Sequence, residues 1–164
     1  MTRFAIAAAG ATLMAMSAGV SAQESTAPEP AAWGTSCASA GRAAELQCSI
    51  EQRVVLSNNG ALLTLINIRP VPGQAEPVML VQLPVGLYLP AQLKFGVDGK
   101  ALDTQPFQTC DGQGCYVGAP VKAELLAAMK AGNALELTFQ DQSRTDITVP
   151  VALNGFSAAL AQAE

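Results

Sequence analysis

The segment LQCSIEQRVVLSNNGALLTLINIR, residues 46–69, carries two strands and the turn between them. Leu46, Cys48, Ile50 and Val54 fall on one side of a period-two pattern, with Gln52 the exception, while Gln47, Ser49, Glu51 and Arg53 fall on the other. That alternation is the mark of a half-buried strand. Ser57-Asn58-Asn59-Gly60 follows as a turn, because Asn and Gly tolerate positive φ. From Ala61 to Arg69 both faces are mostly apolar, which predicts a strand inside a sheet rather than at its edge. Strand, turn and strand make a hairpin.

Moving outward toward the C-terminus, Pro70-Val71-Pro72-Gly73 closes the hairpin, and Pro77–Leu83 (PVMLVQL) is a further strand. Pro84, Gly86 and Pro90 then break the chain into an irregular stretch holding Leu87, Tyr88 and Leu89. Leu93–Val97 is a short strand closed by the turn Asp98-Gly99-Lys100. Pro106–Cys110 and Tyr116-Val117 flank Asp111-Gly112-Gln113-Gly114, so Cys110 and Cys115 stand at the two ends of a tight turn. Val121, Leu125, Leu126 and Met129 recur at near-helical spacing ahead of Gly132, predicting a helix over 121–131. Ala134–Phe139 and Ile147–Val149 are strands around a polar turn at 141–144, with Pro150 ending the second. Residues 154–162 (NGFSAALAQ) predict a short terminal helix. Seven or eight strands with a turn about every 8–12 residues, and one or two short helices, give an all-β fold: a two-sheet antiparallel β-sandwich.

Upstream, the chain opens MTRFAIAAAGATLMAMSAGVSAQ. Arg3 supplies a positive start, Phe4–Met16 is apolar, and Val20-Ser21-Ala22 presents the small-x-small pattern of signal peptidase cleavage. The run is shorter than the roughly 20 residues of a spanning helix, and Gln23 rather than a cysteine follows the cut. We therefore expect residues 1–22 to be a signal peptide, 23–32 (QESTAPEPAA) a flexible leader, and 33–164 a single sandwich domain. Beyond Arg3 the chain has eight basic and thirteen acidic side chains, a formal net charge of about −5. That balance, with no basic run, argues against nucleic acid as a partner. No later apolar stretch is long enough to cross a bilayer.

Cys37, Cys48, Cys110 and Cys115 form an even set in a chain marked for export, which reads as disulfides. Of three possible pairings, Cys37–Cys48 and Cys110–Cys115 are favoured because each brackets a short, turn-rich loop. Loop closure gives roughly 3 and 2 kcal/mol respectively. Zinc would want closer paired cysteines than 37 and 48, and a redox dithiol would want C-x-x-C; neither pattern is present.

The sequence has no histidine, which removes Ser-His-Asp and Cys-His sites and His-ligated zinc. Carboxylates cluster most at Asp98/Asp103 and Asp141/Asp146, and each pair flanks a turn, where solvation is the plainest role. The segment DQSRTD lacks the ligand alternation of a calcium loop. Gly112 and Gly114 have no phosphate-loop context and read instead as letting the turn between the cysteines close. No catalytic residue, metal or cofactor is assigned. The aromatics Trp33, Phe95, Phe107, Tyr116, Phe139 and Phe156 fit core positions. The stretch Pro84–Pro90 differs: it sets Leu87, Tyr88 and Leu89 in an irregular loop suited to contacting a partner.

Taken in order, several features resemble the invasion-associated locus B family of exported bacterial proteins. They are Trp33 four residues before Cys37; Cys48 followed by Ile50 and Gln52; Leu83-Pro84-x-Gly86; Val97-Asp98; and Cys110-x-x-x-Gly114-Cys115. They continue with the helix ending Lys130-x-Gly132 and close on Pro150-x-x-Leu153-x-Gly155-Phe156-x-x-Ala159. Thr35 departs from the family's usual opening, where an apolar residue is common. The resemblance implies an immunoglobulin-like sandwich in the periplasm or cell envelope, surface-exposed or secreted in some settings. It also implies a role linked to host-cell invasion and virulence, with no shared catalytic site. The expected function is a non-enzymatic envelope protein binding an unknown protein or an envelope or host macromolecule. An enzyme acting on envelope polymers and a small periplasmic chaperone stand as alternatives.

Overall fold

A computed structural model describes residues 33–39, 41–42 and 44–164. The expected signal peptide and leader lie outside the described residues. Ten strands fall into two antiparallel sheets. In chain order they are β1 (Gly34–Ser39), β2 (Leu46–Val55), β3 (Leu62–Arg69), β4 (Val78–Leu83) and β5 (Leu93–Val97). They continue as β6 (Lys100–Gln105), β7 (Thr109–Cys110), β8 (Cys115–Pro120), β9 (Ala134–Gln140) and β10 (Asp146–Ala152). Two helices, α1 (Ala123–Ala131) and α2 (Phe156–Ala163), complete the fold. One sheet runs β1-β2-β3-β4-β8-β7 and the other β10-β9-β5-β6. This is the two-sheet sandwich with two short helices that the turn spacing predicts.

The hairpin of residues 46–69 pairs as its alternation demands, Ile50 opposite Ile68 and Gln52 opposite Ile66. β3 has a strand on each side, in keeping with its two apolar faces. Ile50, Ile66 and Ile68 are fully buried, and they join Met79, Val81 and Leu83 of β4 in one core with Leu93, Phe95, Leu135 and Leu137 of the second sheet. Phe156 and Leu160 of α2 close the same core. Trp33 stacks edge-on against Phe156 at 5.1 Å and donates its indole N–H to the Ala152 carbonyl at 2.9 Å.

Four details depart from the sequence reading. β1 and β6 are strands that the reading does not predict: GTSCAS and KALDTQ lack the apolar alternation that marks a buried face. β1 is held by register and covalent bond, and β6 by the two-residue turn Asp98-Gly99, both at positive φ, which suits the twist of a hairpin. Pro106-Phe107 precedes β7 rather than lying in it. Pro150 lies within β10 instead of ending it; β10 is an edge strand, so an N–H on its outer side is dispensable. Leu46, on the apolar side of the β2 pattern, is 70 % exposed because it sits at the strand's start.

Cys37 and Cys48 stand directly opposite in the β1–β2 register and are bonded, with 3.9 Å between Cα atoms. Cys110 and Cys115 do the same across β7 and β8, with 4.0 Å. Asp111 completes that turn by accepting the N–H groups of Gln113 and Gly114 on Oδ1.

Candidate functional site

The segment between β4 and β5 is an irregular stretch that exposes the apolar side chains Val85 and Leu89. Leu83, the last residue of β4, is buried, but Pro84 cannot extend the ladder and the backbone leaves the sheet. Gly86 takes φ 85°, a conformation that costs a side-chain-bearing residue about 1 kcal/mol or more. The chain then turns back along the end of β9. Leu87 forms an isolated antiparallel bridge with Asp141, and the Tyr88 N–H donates to the Gln140 carbonyl at 2.8 Å. A single 3₁₀ turn at Leu89–Ala91, opening with Pro90 in its first turn, carries the chain into β5.

This backbone sorts the three side chains singled out by sequence. Leu87 packs against the core. Tyr88 is half-buried, with the Arg144 guanidinium 4.8 Å above its ring. Leu89 points outward at 42 % exposure, and Val85, not singled out from sequence, is 57 % exposed. The loop therefore has an anchored side and an outward apolar side.

Arg144 comes from the β9–β10 turn, which Asp141 organises. Its Oδ1 accepts the Thr145 N–H at 2.9 Å, and its carbonyl accepts the Arg144 N–H at 2.9 Å. Arg144 itself sits at φ 62°, an uncommon backbone state for a non-glycine residue. The turn's hydrogen bonds hold it there, and the result lays a cation on the Tyr88 face, worth about 0.5–1 kcal/mol at an exposed site. Arg144 was legible only as a turn residue, since nothing in DQSRTD specifies a partner 56 positions upstream.

The four aspartates of the two carboxylate pairs, which an envelope-polymer hydrolase would need as acid and base, are each engaged in local hydrogen bonds. Asp98 accepts the N–H groups of Asn133 and Ala134 at 3.0 Å, and these bonds lower its pKa. It thereby ties the β5–β6 turn to the junction of α1 and β9. Burial pushes the Asp103 carboxyl up, but hydrogen bonds from Lys122 and Gln105 and the Lys122 charge outweigh it and leave the pKa lowered. Lys122 Nζ lies 2.7 Å from it. Asp141 binds its own turn, and Asp146 accepts the Gln140 amide at 2.8 Å. Among the described residues no group of three or more His, Cys, Asp or Glu side chains is placed to hold a metal ion. None of the described helices is long and apolar enough to cross a membrane. A separate cleft of about 400 Å³ is lined by Leu46, Pro70, Pro72, Pro77 and the carboxylates Glu45 and Glu164.

The family model for the invasion associated locus B protein matches residues 33–164. Invasion protein B homologs of Brucella abortus strains 2308 and 9-941 are each 28 % identical over 130 residues, covering 78 % of this chain and 73 % of theirs. The crystal structure of invasion associated protein B from Bartonella henselae superposes with a TM-score of 0.70 at 22 % identity. It covers 79 % of this chain and 88 % of that one, and at that identity it speaks for the fold. Trp33, both cysteine pairs and the Pro150–Ala159 closing motif lie inside the matched region, and the chain belongs to the invasion-associated locus B family.

Proposed function

We propose that this is an exported, non-enzymatic envelope protein that binds a macromolecular partner through the 84–92 loop and contributes to contact with a host cell. The observation that carries the proposal is an apolar pair, Val85 and Leu89, held outward on a loop that Leu87 and Tyr88 anchor to the body. Presenting apolar side chains from a rigid loop costs little ordering entropy on binding, and loops held by a rigid scaffold are where binding residues concentrate. Two disulfides favour an oxidising compartment such as the periplasm, and family membership supports the link to invasion. The aspartates' structural engagements weigh against the envelope-polymer hydrolase. The same loop would serve a periplasmic chaperone, which would bind many unfolded clients rather than one partner.

The test is cross-linking capture from envelope and host-cell extracts with the wild-type chain and with a Val85→Asp/Leu89→Asp variant. One saturable partner, lost in the variant while its circular dichroism is unchanged, supports the proposal. Equal capture by both proteins, or capture of unfolded chains without selectivity, overturns it.

A further inference from the structure

We propose that β1 is a self-pairing edge through which two copies of this chain join their six-stranded sheets into one. The two sheets have four edges: β1, β7, β10 and β6. Three are blunted in the ways that sheets use to prevent edge-to-edge pairing. β7 has only two residues. β10 carries Pro150 and begins with Asp146. β6 carries Lys100 and Asp103 and joins β5 through an irregular register. β1 has none of these devices: Gly-Thr-Ser-Cys-Ala-Ser is six residues long, uncharged, free of proline and in unbroken register with β2. Every one of its residues is exposed, and among the described residues no strand pairs with its outer side.

The direction of its free backbone groups follows from the cysteine bridge. Opposed residues in an antiparallel pair alternate between hydrogen-bonded positions, with Cα atoms about 5.5 Å apart, and non-bonded ones about 4.5 Å apart. At 3.9 Å, Cys37 and Cys48 are a non-bonded pair. Gly34, Ser36 and Ala38 therefore bond to β2, while Thr35, Cys37 and Ser39 aim their N–H and C=O groups at the open edge.

Those three residues are symmetric about Cys37. An antiparallel copy centred there sets Cys37 opposite its own equivalent and Thr35 opposite Ser39 twice, giving about six hydrogen bonds between copies. The side chains that meet are Thr with Ser and Cys with Cys on one face and Ser with Ala on the other, all of them small. The occupant is a second copy: the small, uncharged side chains of β1 leave its edge open to an identical strand, and the antiparallel pairing that results is two-fold symmetric. In addition, β1 itself carries no charge, so its pairing sets no like charges of these net-acidic chains directly opposite one another.

Sedimentation velocity on the purified, disulfide-intact protein, with amide hydrogen exchange of residues 34–39 across the same concentration series, tests this. We expect a monomer–dimer equilibrium, with the amides of Thr35, Cys37 and Ser39 becoming protected only in the dimer. Thr35→Pro removes one outward donor without removing a β2 bond, and Ala38→Lys places a charge in the contact. Each variant should weaken association at least about tenfold while leaving the Trp33 near-ultraviolet signal intact. A chain that stays monomeric at every concentration overturns the proposal, as does a dimer that both folded variants retain. Protection of the three amides in a monomer also overturns it, by showing that the chain covers its own edge.

Discussion

Removing the Trp33 side chain should be among the most damaging single changes available to this fold, and the structure sets its size. Trp33 precedes β1 and is 6 % exposed. A buried tryptophan removes up to about 250 Å² from water, worth roughly 6 kcal/mol at 25 cal/mol per Å². Its edge-on contact with Phe156 adds about 0.5–1.5 kcal/mol, and the bond to the Ala152 carbonyl adds about 1 kcal/mol. Those sums use an extended unfolded chain and run high; measured Trp→Ala losses in cores are about 3–5 kcal/mol. We therefore expect Trp33→Ala to lower the unfolding free energy by about 3–5 kcal/mol. Trp33→Phe should cost less, about 1–3 kcal/mol, chiefly because the Ala152 carbonyl loses its donor. Urea denaturation followed by far-ultraviolet circular dichroism measures both, since the only tryptophan is the residue being changed. In a Trp33→Ala, Phe156→Ala cycle the coupling should be about 0.5–1.5 kcal/mol. A loss below about 1 kcal/mol for Trp33→Ala would falsify the assignment of this residue as the link between the start of β1 and the sandwich core.

Three further outcomes are expected. A Cβ at Gly114 would stand 2.5 Å from the Leu83 carbonyl oxygen, whereas one at Gly112 meets nothing within 4 Å. Gly114→Ala should therefore lower stability by about 1–3 kcal/mol through overpacking and Gly112→Ala by less than about 1 kcal/mol, as thermal melts would read; equal effects would contradict the packing. Asp98 and Asp103 both ionise more readily folded than unfolded. Their contribution is complete above the ordinary aspartate value of about 3.9 and is lost as pH falls through their lowered folded values. Stability should thus be nearly flat from pH 5 to 7, fall in acid, and fall less steeply in Asp98→Asn; an unchanged acid slope would rule out the Asn133 and Ala134 bonds as its source. Replacing Cys37 and Cys48 together by alanine should cost about 3 kcal/mol and replacing Cys110 and Cys115 about 2 kcal/mol by loop entropy, and chemical denaturation showing neither pair to matter would remove the cross-links from the account of stability.

Strands with one buried face were readable because burial itself writes the pattern. Ile50 and Gln52 in β2, Ile66 and Ile68 in β3, and Met79, Val81 and Leu83 in β4 are buried at every second residue, since a strand turns alternate side chains to the same side. The sequence also carried the two tight turns at Asp98-Gly99 and Asp111–Gly114, because short-range backbone sterics choose the residues there. β1 left no such trace: all six of its residues are exposed, so no apolar period could announce it, and its place depends on β2 and on the bond from Cys37 to Cys48. The loop surface was half readable. The composition of Pro84–Pro90 marks an apolar irregular segment. Which side chains face out was decided by the Leu87–Asp141 bridge and by Arg144 lying over Tyr88, contacts between segments more than fifty residues apart. Local preference acts over a few bonds and is written in neighbouring residues; the direction of Leu87, Leu89 and Val85 is set by what lies across the fold, and only the assembled sandwich contains that information.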